Sequence, residues 1–299
     1  MTIPFTDFDR RYVDVDGVVI HARVAGSGPA ILLLHGYPES SYMWRHVAPA
    51  LTSDFTVVAA DLRGYGESDA PADDADHLTY SRRAMAADQV GLMSALGHER
   101  FAVAGHDRGG RVAHRMALDH PERVERVAVL DIVPTLHMFE NVDRAMAQSY
   151  FHWFFLNQPF DLPERLITAD PEGWIASRFR GRTSSPWRVE ADALEEYVGA
   201  FRDPARVAAT CADYRAAASI DLVHDREDRL ASRRITAPLL AVWGASSYVG
   251  RHFDVTRVWQ DYAEDVSGVA APSDHYVPEE APDLTVRLLT RFARGEAVA

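Results

Sequence analysis

The sequence predicts an α/β fold, a mostly parallel eight-stranded sheet flanked by helices, with a helical cap inserted over it. Three observations carry this. Short unbroken apolar runs alternate with amphipathic segments, the pattern of parallel strands buried on both faces. That alternation breaks once, across about a hundred aromatic-rich and helix-prone residues between Asp131 and Pro238. A single crossover helix needs far fewer residues than that. At 299 residues, finally, the chain can build one large core and carry an insertion.

In chain order, "YVDVDGVVIHARVAG" (12–26) alternates on either side of Asp16-Gly17 and reads as an opening hairpin. The runs "AILLLHG" (30–36), "FTVVAAD" (55–61), "FAVAGHD" (101–107) and "VERVAVLD" (124–131) follow as strands. "PLLAVWG" (238–244) and a weaker "EDVSGVAAP" (264–272) complete the sheet. Helices fall between them, as in "SRRAMAADQVGLMSALG" (81–97), which ends on a glycine stop signal. The organisation expected is a core over 1–136, a cap over 137–225, and a resumed core over 226–299 that opens with a return helix before Pro238.

Composition narrows the partners. The formal net charge of −13 disfavours nucleic acid, whose phosphates demand a basic field. An anionic small molecule can bind only where arginines locally override that field. One cysteine, Cys211, allows no intrachain disulfide and fits a reducing compartment. "MTIPFTDFDRR" has no basic n-region followed by an apolar run, and no apolar stretch approaches membrane-spanning length. The expectation is a cytoplasmic protein without a membrane partner.

The informative stretch is "AGHDRGGR" (104–111), in which Gly105-His106-Asp107-Arg108-Gly109 fits Gly-x-nucleophile-x-Gly between a strand and a helix. Such an elbow needs small flanking residues because the nucleophile occupies a strained turn. A plain strand-to-helix turn with an aspartate cap is the competing explanation. Other segments favour the elbow. "HGYPES" (35–40) follows the third strand, where a backbone N–H can join the N–H after the nucleophile in an oxyanion hole; the donors would be those of Tyr37 and Arg108. "DLRGYGESDAP" (61–71) reads as a structural loop. "PSDHYVPEEAP" (272–282) puts His275 after the last strand, and Asp131 ends the strand "VAVLD". The order of a catalytic set is then Asp107, Asp131, His275.

On these segments the chain resembles α/β-hydrolases of the haloalkane dehalogenase and epoxide hydrolase branch. More narrowly, "GHDRGGR…HRMALDHP", "LDIVPT", "YFHWFF" and "CADYRA" resemble the fluoroacetate (haloacetate) dehalogenases, from the "HGYP" loop to the final histidine loop. The resemblance implies that His152, Trp153 and Tyr214 form a halide pocket beneath the cap, with Tyr150 as an alternative to Tyr214. Imidazole, indole and phenol can each donate to a leaving halide, although aromatic runs on helices commonly serve packing. It also implies a homodimer.

The residue chemistry agrees with that resemblance. A carboxylate is already ionised at neutral pH and attacks an sp³ carbon without a base. The resulting ester on Asp107 then needs an activated water, which is work for His275, with Asp131 orienting the imidazole. Arg108 and Arg111 stand three apart on the first turn of a helix, so both can reach one pocket and bind a substrate carboxylate through planar donors. Their alternative is structural, with Arg111 paired to an acid and Arg108 at the surface. His106 reads as structural. No histidine pair has metal-ligand spacing, and neither a dinucleotide fingerprint nor a P-loop is present, so no metal or cofactor is expected.

The function expected is hydrolysis of a small anionic 2-haloacid to hydroxyacid and halide. An epoxide hydrolase shares the nucleophile and base but typically carries ring-opening tyrosines on its cap. Here arginine follows Asp107, and "ASSYVGRHFD" after "LLAVWG" offers no aspartate before Asp254, leaving Asp131 as the acid. A non-catalytic ligand-binding protein on the same fold is a third reading, which the intact set of nucleophile, acid, histidine and loop argues against. Asp274, beside His275, either acts on the imidazole or faces solvent.

Overall fold

The computed structural model describes residues 3–179 and 187–298; residues 180–186, inside the range expected for the cap, lie outside the described residues. The chain opens with an antiparallel hairpin, β1 (Asp9–Val15) and β2 (Val18–Gly26). β3 (Ala30–Leu34), β4 (Thr56–Ala60), β5 (Phe101–His106), β6 (Val124–Leu130), β7 (Leu239–Gly244) and β8 (Val266–Ala271) then build one eight-stranded sheet. Its strand order is β1-β2-β4-β3-β5-β6-β7-β8, with β2 antiparallel to β4 and every pair from β4 to β8 parallel. The sheet is the mostly parallel one that the alternating apolar runs predict.

Burial explains why some strands are marked more clearly in the sequence than others. β3 and β5 are buried along their whole length, so both faces need apolar or small residues and the sequence reads as an unbroken run. β1 is largely exposed at one edge, and β8 at the other edge is only partly covered. The weak signal of "EDVSGVAAP" is what an edge strand with one wet face produces.

Helix α1 (Arg82–Ala95) begins on Ser81, whose hydroxyl caps the Ala84 N–H. Helix α2 (Asp107–Asp119) leaves β5 directly and is buried from Asp107 to Leu118 between the sheet and the helices above it. Between β6 and β7 the described residues form eight helices. These are α3 (Thr135–Glu140), α4 (Arg144–Ser149), α5 (Phe151–Leu156), α6 (Leu162–Ala169), α7 (Pro171–Phe179), α8 (Ala191–Phe201), α9 (Pro204–Ala218) and α10 (Ile220–Leu230). Several faces of this group are aromatic and buried, including Tyr150, Trp153, Tyr197 and Tyr214. No helix among the described residues is long and apolar enough to cross a membrane.

Asp107 follows β5, Asp131 follows β6, Tyr37 lies in the loop after β3, and His275 lies in the loop after β8. All four therefore gather at the carboxyl ends of parallel strands. In open α/β sheets this is the edge where ligands bind.

Candidate active site

Asp107 occupies the first position of α2 with φ +45°, a left-handed conformation that costs a non-glycine residue roughly 1–3 kcal/mol. Close packing fixes that turn. A Cβ added to Gly105 would lie 2.3 Å from the Gly109 carbonyl oxygen, and one added to Gly109 would lie 2.5 Å from the His35 carbonyl oxygen. Both obstacles are backbone and cannot swing away. Gly105→Ala is therefore expected to destabilise the protein by about 2 kcal/mol or more, read as a lower midpoint in urea unfolding.

One Asp107 oxygen accepts the Tyr37 N–H at 3.1 Å, and the other stands 4.0 Å from Nε2 of His275. The Arg108 N–H belongs to the first turn of α2, whose amides have no acceptor within the helix. Burial pushes the Asp107 carboxyl upward. His275, His106, Arg111 and the Tyr37 N–H outweigh it, and the group stays below its ordinary range. It is a buried anion, 4% exposed.

Nδ1 of His275 lies 2.7 Å from Asp131 Oδ2. Because an aspartate carboxylate only accepts, Nδ1 donates to Asp131, and Nε2 is the nitrogen that faces Asp107. The other Asp131 oxygen accepts the Gly244 N–H at 3.0 Å and the Ser247 hydroxyl at 2.6 Å. Asp131 is thus buried yet fully hydrogen-bonded, as a buried charge must be. Ser247 is a positioning residue to which the sequence alone assigns no role. Its stretch, "ASSYVG", has no spacing that ties it to a strand end more than a hundred residues earlier. Ser247→Ala removes one bond to a buried carboxylate and is expected to lower kcat about tenfold without changing the substrate range, checked by steady-state kinetics.

His106 takes the structural role expected of it. Its Nδ1 lies 3.2 Å from Glu39 Oε2, and its Nε2 donates to the His275 carbonyl at 2.8 Å, which anchors the histidine loop from below. Burial favours the neutral ring, but the hydrogen bond and charge of Glu39 together with the charge of Asp107 raise its pKa to about 9. The folded-state value lies above the ordinary 6.5. The associated stability is therefore complete below about pH 6.5 and is lost as pH rises through about 9. Unfolding free energy should fall across that window in the wild type, and Glu39→Gln should flatten the slope.

Neither arginine lies at the surface. Arg108 is fully buried, and its Nε and Nη2 both donate to the Asp213 carboxylate, the Nε bond being 2.8 Å. Nη2 also reaches the Asp213 carbonyl at 2.9 Å. Arg111 donates through Nη1 to the Val133 carbonyl and the Thr135 hydroxyl, each at 3.0 Å. This differs from the expectation of two open planar forks. Arg108 has spent its paired donor edge on Asp213, so only Nη1 is left without an acceptor among the described residues, and on Arg111 the Nε is likewise left. Nor does Arg111 pair with an acid through these bonds; it is held by a carbonyl and a hydroxyl.

Against the arginines lie aromatic side chains of α5 and α9. The Arg108 guanidinium sits 4.1 Å from the centre of the Tyr214 ring, and that of Arg111 sits 4.7 Å from the Trp153 ring. His152 and Trp153 lie 5.9 and 6.3 Å from Tyr214, so the structure brings the three predicted halide donors together. Trp153 Nε1 is buried with no acceptor among the described residues. Tyr150 is also adjacent, 5.7 Å from His152 and 5.6 Å from Trp153, but its ring packs onward against Tyr248. Tyr214 packs instead against Tyr37, 5.4 Å away, whose amide donates to Asp107. A cavity of about 310 Å³ reaches His275 past Phe151, Arg178 and Arg251. Asp274 is buried beside it, which removes the alternative that it faces solvent. A larger cavity, about 930 Å³, lies between the 70–80 segment and α9 and contains none of these residues.

Known proteins resemble this chain in sequence and in fold. Residues 29–282 match the family model described as alpha/beta hydrolase fold. A fluoroacetate dehalogenase of Burkholderia sp. is 46% identical, over 96% of this chain and 94% of its own. A soluble epoxide hydrolase of Corynebacterium sp. strain C12 is 34% identical, over 96% and 98%. A crystal structure of a candidate alpha/beta hydrolase from Nostoc sp. PCC 7120 superposes with a TM-score of 0.94 at 48% identity, covering 96% of this chain and 98% of that one. Family model, near full-length relatives and sheet topology agree: this chain belongs to the alpha/beta hydrolase fold family.

Proposed function

We propose that the protein hydrolyses haloacetates, converting fluoroacetate or chloroacetate to glycolate and halide through an ester on Asp107. The observation that carries this reading is the juxtaposition of an ionised Asp107 with two buried arginines and the aromatic group above them. A neutral epoxide gives no reason to bury two guanidinium groups beside the nucleophile. A carboxylate-bearing substrate does.

Asp107 attacks the halogen-bearing carbon, the C–O bond forms, and the C–halogen pair leaves with the halide. His152, Trp153 and Tyr214 donate to the departing ion, while Arg108 and Arg111 hold the substrate carboxylate. Backside attack inverts a chiral carbon. Water then gives a proton to Nε2 of His275 and adds to the Asp107 carboxyl carbon. The amides of Tyr37 and Arg108 stabilise the oxyanion, and Asp131 balances the imidazolium. Collapse expels the glycolate oxygen, which takes the proton from His275; the Asp107 carboxyl then releases its own proton to solvent, which regenerates the carboxylate and yields one proton per turnover. The reaction uses only groups of the chain and water.

The test is halide release from fluoroacetate and chloroacetate, followed by ion chromatography. Release of either ion supports the reading. Absence of both, with turnover of a simple epoxide, would replace it with epoxide hydrolysis, an activity carried by the name of the Corynebacterium relative.

A further inference from the structure

Among the described residues a buried polar cluster surrounds Asp213 on α9, the residue before Tyr214. Its carboxylate accepts from Nε and Nη2 of Arg108, from Nη1 of Arg82, and from the Tyr65 hydroxyl at 2.7 Å. Asp213, Arg82 and Arg108 are all buried. Asp221 binds the Arg82 N–H at 2.8 Å and stands 3.8 Å from its Nε, so it balances Arg82 and not Arg108.

Two guanidinium groups thus share one carboxylate. The side-on pair also fixes the plane of the Arg108 guanidinium, because Nε and Nη2 are both held and the face lies 4.1 Å from the Tyr214 ring. One nitrogen, Nη1, is then left for a ligand. Helix α9, which carries Asp213, therefore sets the direction of an arginine that belongs to α2.

We infer that Asp213 is a positioning residue for anion recognition: by holding Nε and Nη2 of Arg108 it fixes the guanidinium so that Nη1 is the nitrogen left to receive a small carboxylate. This deepens the haloacetate reading and rests on it. A merely structural Asp213 would serve to balance Arg82, and the two roles separate in a charge-balanced pair of variants. Asp213→Asn should raise KM for chloroacetate by about tenfold or more while kcat changes much less. The double variant Asp213→Asn with Arg82→Met removes one charge of each sign, so it keeps the test open should the single variant fail to fold. It should show the same rise in KM.

Acetate binding, measured by titration calorimetry on the wild type and both variants, reads the inference without turnover. An affinity for acetate that falls about tenfold in the double variant supports the positioning role. Wild-type affinity in the double variant, or no acetate binding by the wild type, would overturn it. A wild type that binds acetate yet releases no halide would defeat the haloacetate reading and leave the positioning role standing.

Discussion

Replacing Asp107 by Asn is expected, on the proposed mechanism, to abolish halide release, with kcat lowered by about 10⁴ or more, since the proposed nucleophile and every later step are lost together. The side chain keeps its volume, so the turn between β5 and α2 should survive and the variant should unfold at nearly the wild-type temperature. The effect follows from the site and not from stability. Asp107 is the anion that the Tyr37 N–H holds and that His275 faces, and the groups around it keep its carboxyl below the ordinary range. A depressed pKa also fixes the direction of the acid limb. The attacking form persists below the ordinary carboxylate range and is lost only as pH falls through the lowered value.

Replacing His275 by Asn should have an effect of similar size but different form. Alkylation of Asp107 needs no base, so one equivalent of halide should appear in a burst. Hydrolysis of the ester should then stall, lowering steady-state kcat by about 10³ or more. Intact-protein mass spectrometry should find the chain heavier by one carboxymethyl group. The burst should be nearly independent of pH between neutrality and the ordinary carboxylate range, because only Asp107 must be ionised for it. Loss of the burst along with turnover would mean that His275 acts before the halide leaves, and that alkylation is not independent of the base.

The two variants bear on residues that are legible in the sequence, and the reason is steric. An elbow tolerates almost nothing at Gly105 and Gly109, since a Cβ at either meets backbone. It therefore leaves a local trace that five consecutive residues can show. Asp131 and His275 follow strands β6 and β8, and the apolar runs of those strands mark their ends. The eight strands are legible for the same reason, most clearly where burial on both faces forces an unbroken run, as in β5.

What supports these groups leaves no such trace. Ser247 reaches Asp131 from the loop after β7, Glu39 reaches His106 from the β3 loop, and Asp213 reaches Arg108 from α9. Each is a hydrogen-bond partner distant in the chain, of a residue type common on surfaces, and neither period nor spacing distinguishes it. Asp213 stands beside Tyr214 in "CADYRA", a segment whose phenol has an evident chemical use and whose carboxylate does not. The consequence is specific. Spacing places the two arginines on one face of a helix, but it cannot show which partner occupies the donor edge of Arg108.

The central claim is that the first bond to carbon is made by Asp107 and not by water. A single turnover of chloroacetate in ¹⁸O-water, with enzyme in excess, tests it most directly. If Asp107 attacks, the glycolate hydroxyl carries unlabelled oxygen from the carboxylate, and peptide mass spectrometry finds the label on Asp107. Labelled glycolate from that first turnover, with Asp107 unlabelled, would mean that water displaces the halide directly and would contradict the claim.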